Sequence, residues 1–76
     1  MLSLAQNQAE IDSLLEVTKT LSEGPEKAKN LRRLHELTMF TDPELARTYA
    51  LEAFEISKEA GDLKGIGIGY LQLGNY

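Results

Sequence analysis

Residues 42–74 constrain this chain most, because they carry two helical patterns whose start, stop and restart can all be read from residue types. Asp42-Pro43-Glu44 opens the first. Asp is a good N-cap, Pro fits the first helical position where its missing N–H costs nothing, and a carboxylate in the first turn meets the positive end of the helix dipole. Thr41 with Glu44 is the alternative start, read as a capping box. Ala46, Tyr49, Ala50, Ala53, Ser57 and Ala60 then recur at spacings of three and four, which places them on one stripe of a helix. Most of that stripe is small, so neighbouring helix axes can come close to it. Gly61 ends the helix, since glycine tolerates the left-handed C′ conformation, and Asp62 stands where it can cap the next one.

Upstream, the apolar period predicts a helix over residues 8–21, with Ile11, Leu14, Leu15, Thr18 and Leu21 on one face and Glu10, Asp12, Glu16 and Lys19 mostly away from it. Ser22-Glu23-Gly24-Pro25 breaks the chain, and Pro25 starts a second helix over 25–40. Its inner face is Ala28, Leu31, Leu34, His35 and Thr38, with Leu37 beside it; Lys27, Lys29, Arg32, Arg33 and Glu36 form an outer face that reads as solvated. A fourth helix over 63–76 contains Gly65, Gly67, Gly69 and Gly74. Each interior glycine costs about 1 kcal/mol relative to Ala, so this helix needs tertiary contacts through Ile66, Tyr70 and Leu73. Its glycines permit close approach to the small stripe. A strand over 65–70, with Ile66, Ile68 and Tyr70 alternating, is the competing reading.

Tyr70, Leu73 and Gly74, together with Ala46 and Ala53, resemble the tetratricopeptide (TPR) signature. Ala50 departs from it by standing where an aromatic is expected, and Gly61-Asp62 replaces the closing Pro. In the upstream helix Leu31 and Leu34 fit, whereas His35 stands at the Gly position and Thr38 at the Tyr position. Leu34 to Leu73 is 39 residues, longer than the common TPR period of about 34. That length resembles the extended variant joined by Gly-Asp-x-x-Gly, here Gly61-Asp62-Leu63-Lys64-Gly65. The resemblance covers roughly residues 25–76, and it implies a protein-interaction array of the kind found at the N-termini of bacterial two-component kinases and regulators.

The 76 residues suffice for one small domain, and 42% hydrophobic with 26% charged residues is the balance of a folded chain. No apolar run of 18 residues is present, so no membrane span is expected. A net charge of −4 argues against nucleic acid as partner. Met1-Leu2-Ser3-Leu4-Ala5-Gln6 places Ser3 and Ala5 in the small-x-small arrangement of a signal-peptidase site but lacks the charged and long apolar regions of an export signal. The segment reads as an ordinary chain end, with an exported, periplasmic protein as the alternative to a cytoplasmic one.

The chemistry-bearing residues are few. With no cysteine, disulfides, thiolate metal sites and a cysteine nucleophile all drop out. His35 is the one histidine, and His35-Glu36-Leu37 resembles the start of a histidine-kinase phosphoacceptor box, but Thr38-Met39-Phe40 does not continue it. The better reading has His35 part-buried with one ring nitrogen hydrogen-bonded. Glu52, Glu55 and Glu59 read as a solvated helix face, and the glycine run lacks the lysine of a P-loop. Tyr49 and Phe54 read as packing residues.

The expectation is therefore an all-α fold of antiparallel helix-turn-helix repeats, a TPR-like α-solenoid fragment. Residues 1–24 form an N-terminal helix packing on the repeat, 25–62 the helix pair, and 63–76 the first helix of a following repeat. The expected function is a non-catalytic protein-interaction scaffold, with no catalytic residue, cofactor or metal. A regulatory module of an enzyme and a free-standing helical adaptor are the competing classes. Ile66, Tyr70, Leu71 and Leu73 are the expected interaction residues, through which two copies would associate.

Overall fold

The computed structural model describes residues 4–74, with side chains from residue 7 onward. It contains helices α1 (Leu4–Thr20), α2 (Pro25–Thr38), α3 (Pro43–Ala60) and α4 (Leu63–Leu73), with no strand among the described residues. The strand reading of residues 65–70 is thereby set aside. Helix α1 begins at Leu4, ahead of the apolar pattern, and Asn7 Nδ2 ties that extra turn to α2 by donating to the Leu37 carbonyl at 3.3 Å. Residues 1–3, which include the first half of the small-x-small arrangement, lie outside the described residues, as do 75 and 76 of the expected fourth helix.

Helix α2 stops at Thr38 rather than residue 40. The Thr38 carbonyl accepts from both Thr41 N (3.1 Å) and Asp42 N (2.8 Å), which closes the chain into the next helix. The Asp42 side chain then caps α3, accepting from Leu45 N at 3.2 Å. Thr41 turns its hydroxyl back to the Thr38 carbonyl at 3.4 Å, so the capping-box alternative is not used. At the other end Gly61 takes φ 68°, the one positive φ among the described residues. Gly61 N donates to the Lys58 carbonyl (3.2 Å) and Asp62 N to the Ser57 carbonyl (2.9 Å), the bond pair of a Schellman turn. Asp62 occupies the N-cap position of α4 but makes no side-chain cap bond, contrary to expectation.

Successive helices run antiparallel. Glu10 meets Arg33 across α1 and α2, and His35 meets Ala46 while Lys27 meets Glu52 across α2 and α3. The core is Ala28, Leu31, Leu34, Ala53 and Ile56, with Ile11, Leu14, Leu15 and Tyr49 packed against it from the sides. All five residues expected inside α2 are buried. On α3 the stripe shifts: Ile56 joins Ala46, Ala50, Ala53 and Ser57 inside, and Ala60 is exposed. Two residues expected on the solvated face of α2, Lys27 and Arg32, are half-buried with cross-helix partners, Glu52 at 3.6 Å and Ser57 Oγ at 3.5 Å.

Candidate interaction surfaces

The seam between α3 and α4 is built by glycines. A Cβ on Gly65 would stand 2.3 Å from Ser57 Oγ and 2.9 Å from Ser57 Cβ, and one on Gly69 would stand 2.3 Å from Phe54 Cδ1. Gly65 and Gly69, one helical turn apart, are the buried residues of α4. Close approach of the two backbones is therefore the means by which a glycine-rich helix obtains the contacts it needs. Gly67 faces open space, so it adds nothing to the seam.

This seam decides where the expected interaction residues go. Ile66 and Leu73 are half-buried on the flank of α4, with Ile68 and Gln72 on the other flank. Tyr70 and Leu71 project outward, 67% and 74% exposed, and Leu63 joins them at 82%. The sequence asks Tyr70 both to give α4 tertiary contact and to face a partner; the buried edge is taken by glycine, so the ring lies across the top of the seam. It meets Phe54 edge-on, with centroids 5.0 Å apart and planes at 64°, while Lys58 Nζ sits 4.9 Å from the Phe54 centroid on the same ring system. The four residues named from sequence thus divide into two that face solvent and two that help hold α4 in place. Leu63 was missed because it adjoins a cap position rather than the apolar repeat.

A second surface had no counterpart in the sequence reading. A cleft of about 220 Å³ opens between α1, α2 and α3, with Leu15, Leu31, Leu34, Thr18 and Tyr49 in its walls and Lys19, Lys27 and Glu52 at its rim. Thr18 is buried, and its Oγ1 has no hydrogen-bond partner among the described residues. Tyr49 is held above the ordinary tyrosine range by loss of water around it, reinforced by the negative charges of Asp42 and Glu52. Lys27 is held above its usual value chiefly by its hydrogen bond to Glu23, against some desolvation, and Glu52 adds to it. Lys27 therefore ties the α1–α2 turn to α3 across the mouth of the cleft.

His35 is wholly buried, and its Nδ1 lies 3.0 Å from the Ala46 carbonyl, so the ring donates to the backbone of α3. It serves as a packing and hydrogen-bonding group between α2 and α3. Among the described residues no group of three or more His, Asp or Glu side chains is placed to hold a metal ion. No helix is long and apolar enough to cross a membrane. No family model, curated protein or solved structure matches the chain.

Proposed function

We propose that this chain is a non-catalytic protein-interaction module of the tetratricopeptide kind, whose α4 receives an apolar helical face from another polypeptide. The observation that carries the reading is the outward stripe of Leu63, Tyr70 and Leu71 on a helix that holds one charge, Lys64. A helix anchored along one edge by glycines and apolar along the opposite edge is suited to lie between two neighbours, which is how stacked helical repeats bury their surface. By the same resemblance the module serves as the interaction or sensory segment of a larger bacterial signalling protein.

A second copy of the chain is the simplest partner, joined α4 to α4 about a two-fold axis. Leu71→Lys is the variant that reads this contact. Its position is 74% exposed, so the substitution changes monomer stability by about 0.5 kcal/mol or less, yet it places an unpaired charge inside the contact. Leu73→Lys would also disturb the half-buried flank and so mix folding with association. Sedimentation equilibrium at micromolar protein is expected to show a mass above 8.5 kDa that Leu71→Lys returns to the monomer. A single 8.5 kDa species in both would refute the pairing.

A further inference from the structure

We propose that α4 is an exchangeable element: the α4 of a second copy of this chain takes the place of the molecule's own on α3, and residues 43–73 of each copy then run as one helix. The site on α3 is defined by its present occupant, with Gly65 against Ser57, Gly69 against Phe54 and Tyr70 edge-on to Phe54. An exchanged α4 makes the same contacts, so no new surface has to fit. The exchange requires that the turn straighten and that the straightened chain carry both halves of the seam on one side. Phe54, Ser57, Gly61, Gly65 and Gly69 stand at intervals of three, four, four and four, so in an unbroken helix all five share a face. The contacts are also centred on the turn: Ser57 and Gly65 lie four residues to either side of Gly61, and Phe54 and Gly69 seven to either side of the Gly61-Asp62 step. Two such helices, antiparallel about a two-fold axis, therefore cross at Gly61 with the seam in register, and Gly61 puts no side chain into the crossing.

The turn gives way at little loss of bonding. Its two hydrogen bonds run from Gly61 N to the Lys58 carbonyl and from Asp62 N to the Ser57 carbonyl. In an unbroken helix the same two donors keep the same two carbonyls with the partners exchanged. Asp62 gives the first-turn amides of α4 no side-chain cap. Once the helices join, the amides of Leu63, Lys64 and Gly65 meet the carbonyls of Glu59, Ala60 and Gly61. Opposing this is the conformational cost of holding Gly61 inside a helix instead of at φ 68°. The α2 side of α3 is untouched, because Ala53 and Ile56 keep their places in the core. The outward stripe of α4 takes no part either, so this exchange stands or falls separately from the α4-to-α4 pairing.

The test is made in the Leu71→Lys chain, which lacks the outward contact. Gly61→Ala strains the left-handed turn and favours the helix, and a dimer holds two such hinges, so dimerisation is expected to tighten on the order of a hundredfold. Sedimentation should then show twice the 8.5 kDa chain mass at micromolar protein. Adding Leu63→Pro is expected to return that chain to the monomer. Proline fits the first position of α4, and Asp62 at ψ 94° is already extended as the residue before a proline must be, whereas inside a joined helix the ring removes one bond and clashes with the Glu59 carbonyl. Nitroxide labels on Leu51→Cys and Gly67→Cys, carried by one labelled chain among excess unlabelled chains, read the exchange itself. Leu51 is 41% exposed and a Cβ at Gly67 meets nothing, so neither label disturbs the seam. With α4 folded back the two sites lie side by side; in a joined helix they are sixteen residues, about 24 Å, apart. The longer spacing is expected in the dimer and the shorter one after Leu63→Pro. The Gly61 parent taken to millimolar protein is expected to form the same dimer with the same lengthening, so the outcome does not hang on how Gly61→Ala folds. A Gly61→Ala chain that folds and stays monomeric, a dimer that survives Leu63→Pro, or a dimer that keeps the short label spacing would each overturn the proposal.

Discussion

Alanine at Gly65 and at Gly67 differs in effect because of the α3–α4 seam, and the difference can be worked out in advance. The two glycines lie in the same helix, two residues apart, and replacing either by Ala raises helix propensity by about 0.5–1 kcal/mol. At Gly67 that gain is the whole effect, since a Cβ there meets nothing within 4 Å. At Gly65 the same methyl group arrives 2.3 Å from Ser57 Oγ and 2.9 Å from Ser57 Cβ. Ser57 is buried and its Cβ is fixed to the α3 backbone, so rotating the hydroxyl relieves only the first clash, and the helices must separate. Overpacking of this kind costs about 1–3 kcal/mol, and because the propensity gain cancels between the variants, that cost is the expected gap between them. In a domain of this size 1 kcal/mol corresponds to about 4–8 °C in Tm. Thermal and urea unfolding followed at the helical far-ultraviolet band should place Gly67→Ala above the parent and Gly65→Ala below Gly67→Ala by several degrees or more. Ser57→Ala should recover part of the Gly65→Ala deficit by removing the nearer atom. Equal stability of the two glycine variants would refute the close approach of α4 to α3.

Two further outcomes follow from the cleft region. Thr18→Val keeps the shape of a buried side chain and removes a hydroxyl that has no partner among the described residues, so it should raise stability by about 1 kcal/mol in urea unfolding; a loss of that size would mean the hydroxyl is hydrogen-bonded after all. The raised pKa of Tyr49 means that the folded chain keeps its phenolic proton to higher pH than the unfolded chain does, so this group's share of stability is complete below the ordinary value of 10.0 and falls as pH rises from there through the folded value. Thermal unfolding between neutral and strongly alkaline pH should show a shallower decline in Tyr49→Phe than in the parent, and identical declines would contradict the assignment.

The elements whose apolar faces carry large side chains were the most legible. Leu31 and Leu34, with Ala28, His35 and Thr38 at matching spacing, located the buried side of α2 completely, and Asp42, Pro43 and Gly61 marked both ends of α3. Legibility failed where small residues do the packing. In α4 the glycines read as permitting close approach, but the apolar spacing does not say which residues form the inner edge: that edge belongs to Gly65 and Gly69, and Tyr70, from which the sequence asks both tertiary contact and a partner surface, lies outside. The signal was available: two glycines four apart, opposite a stripe rich in alanine and serine, define an inner edge by absence of volume. Ala60 was misplaced for a related reason, since a periodic pattern does not tell where α3 outruns its neighbours and Ile56 becomes the better-covered position. The cleft depends on how three helices fail to fill the space between them, which no spacing along one chain encodes.

The unequal way in which α3 is gripped on its two sides also sets the order in which the molecule opens. On one side Ala53 and Ile56 interlock with Leu31 and Leu34 of α2, and His35 bonds across to Ala46; on the other, α4 rests on α3 largely through glycine edges and one aromatic pair. Amide hydrogen exchange should therefore be graded rather than uniform. The α2–α3 pair exchanges only by global unfolding, while the α4 amides exchange through a lower-energy opening in which that helix alone lifts away and, being glycine-rich, melts as it leaves. Anything that binds the outward face of α4 then slows exchange there first, which makes the amide protons of residues 65–73 a direct gauge of occupancy.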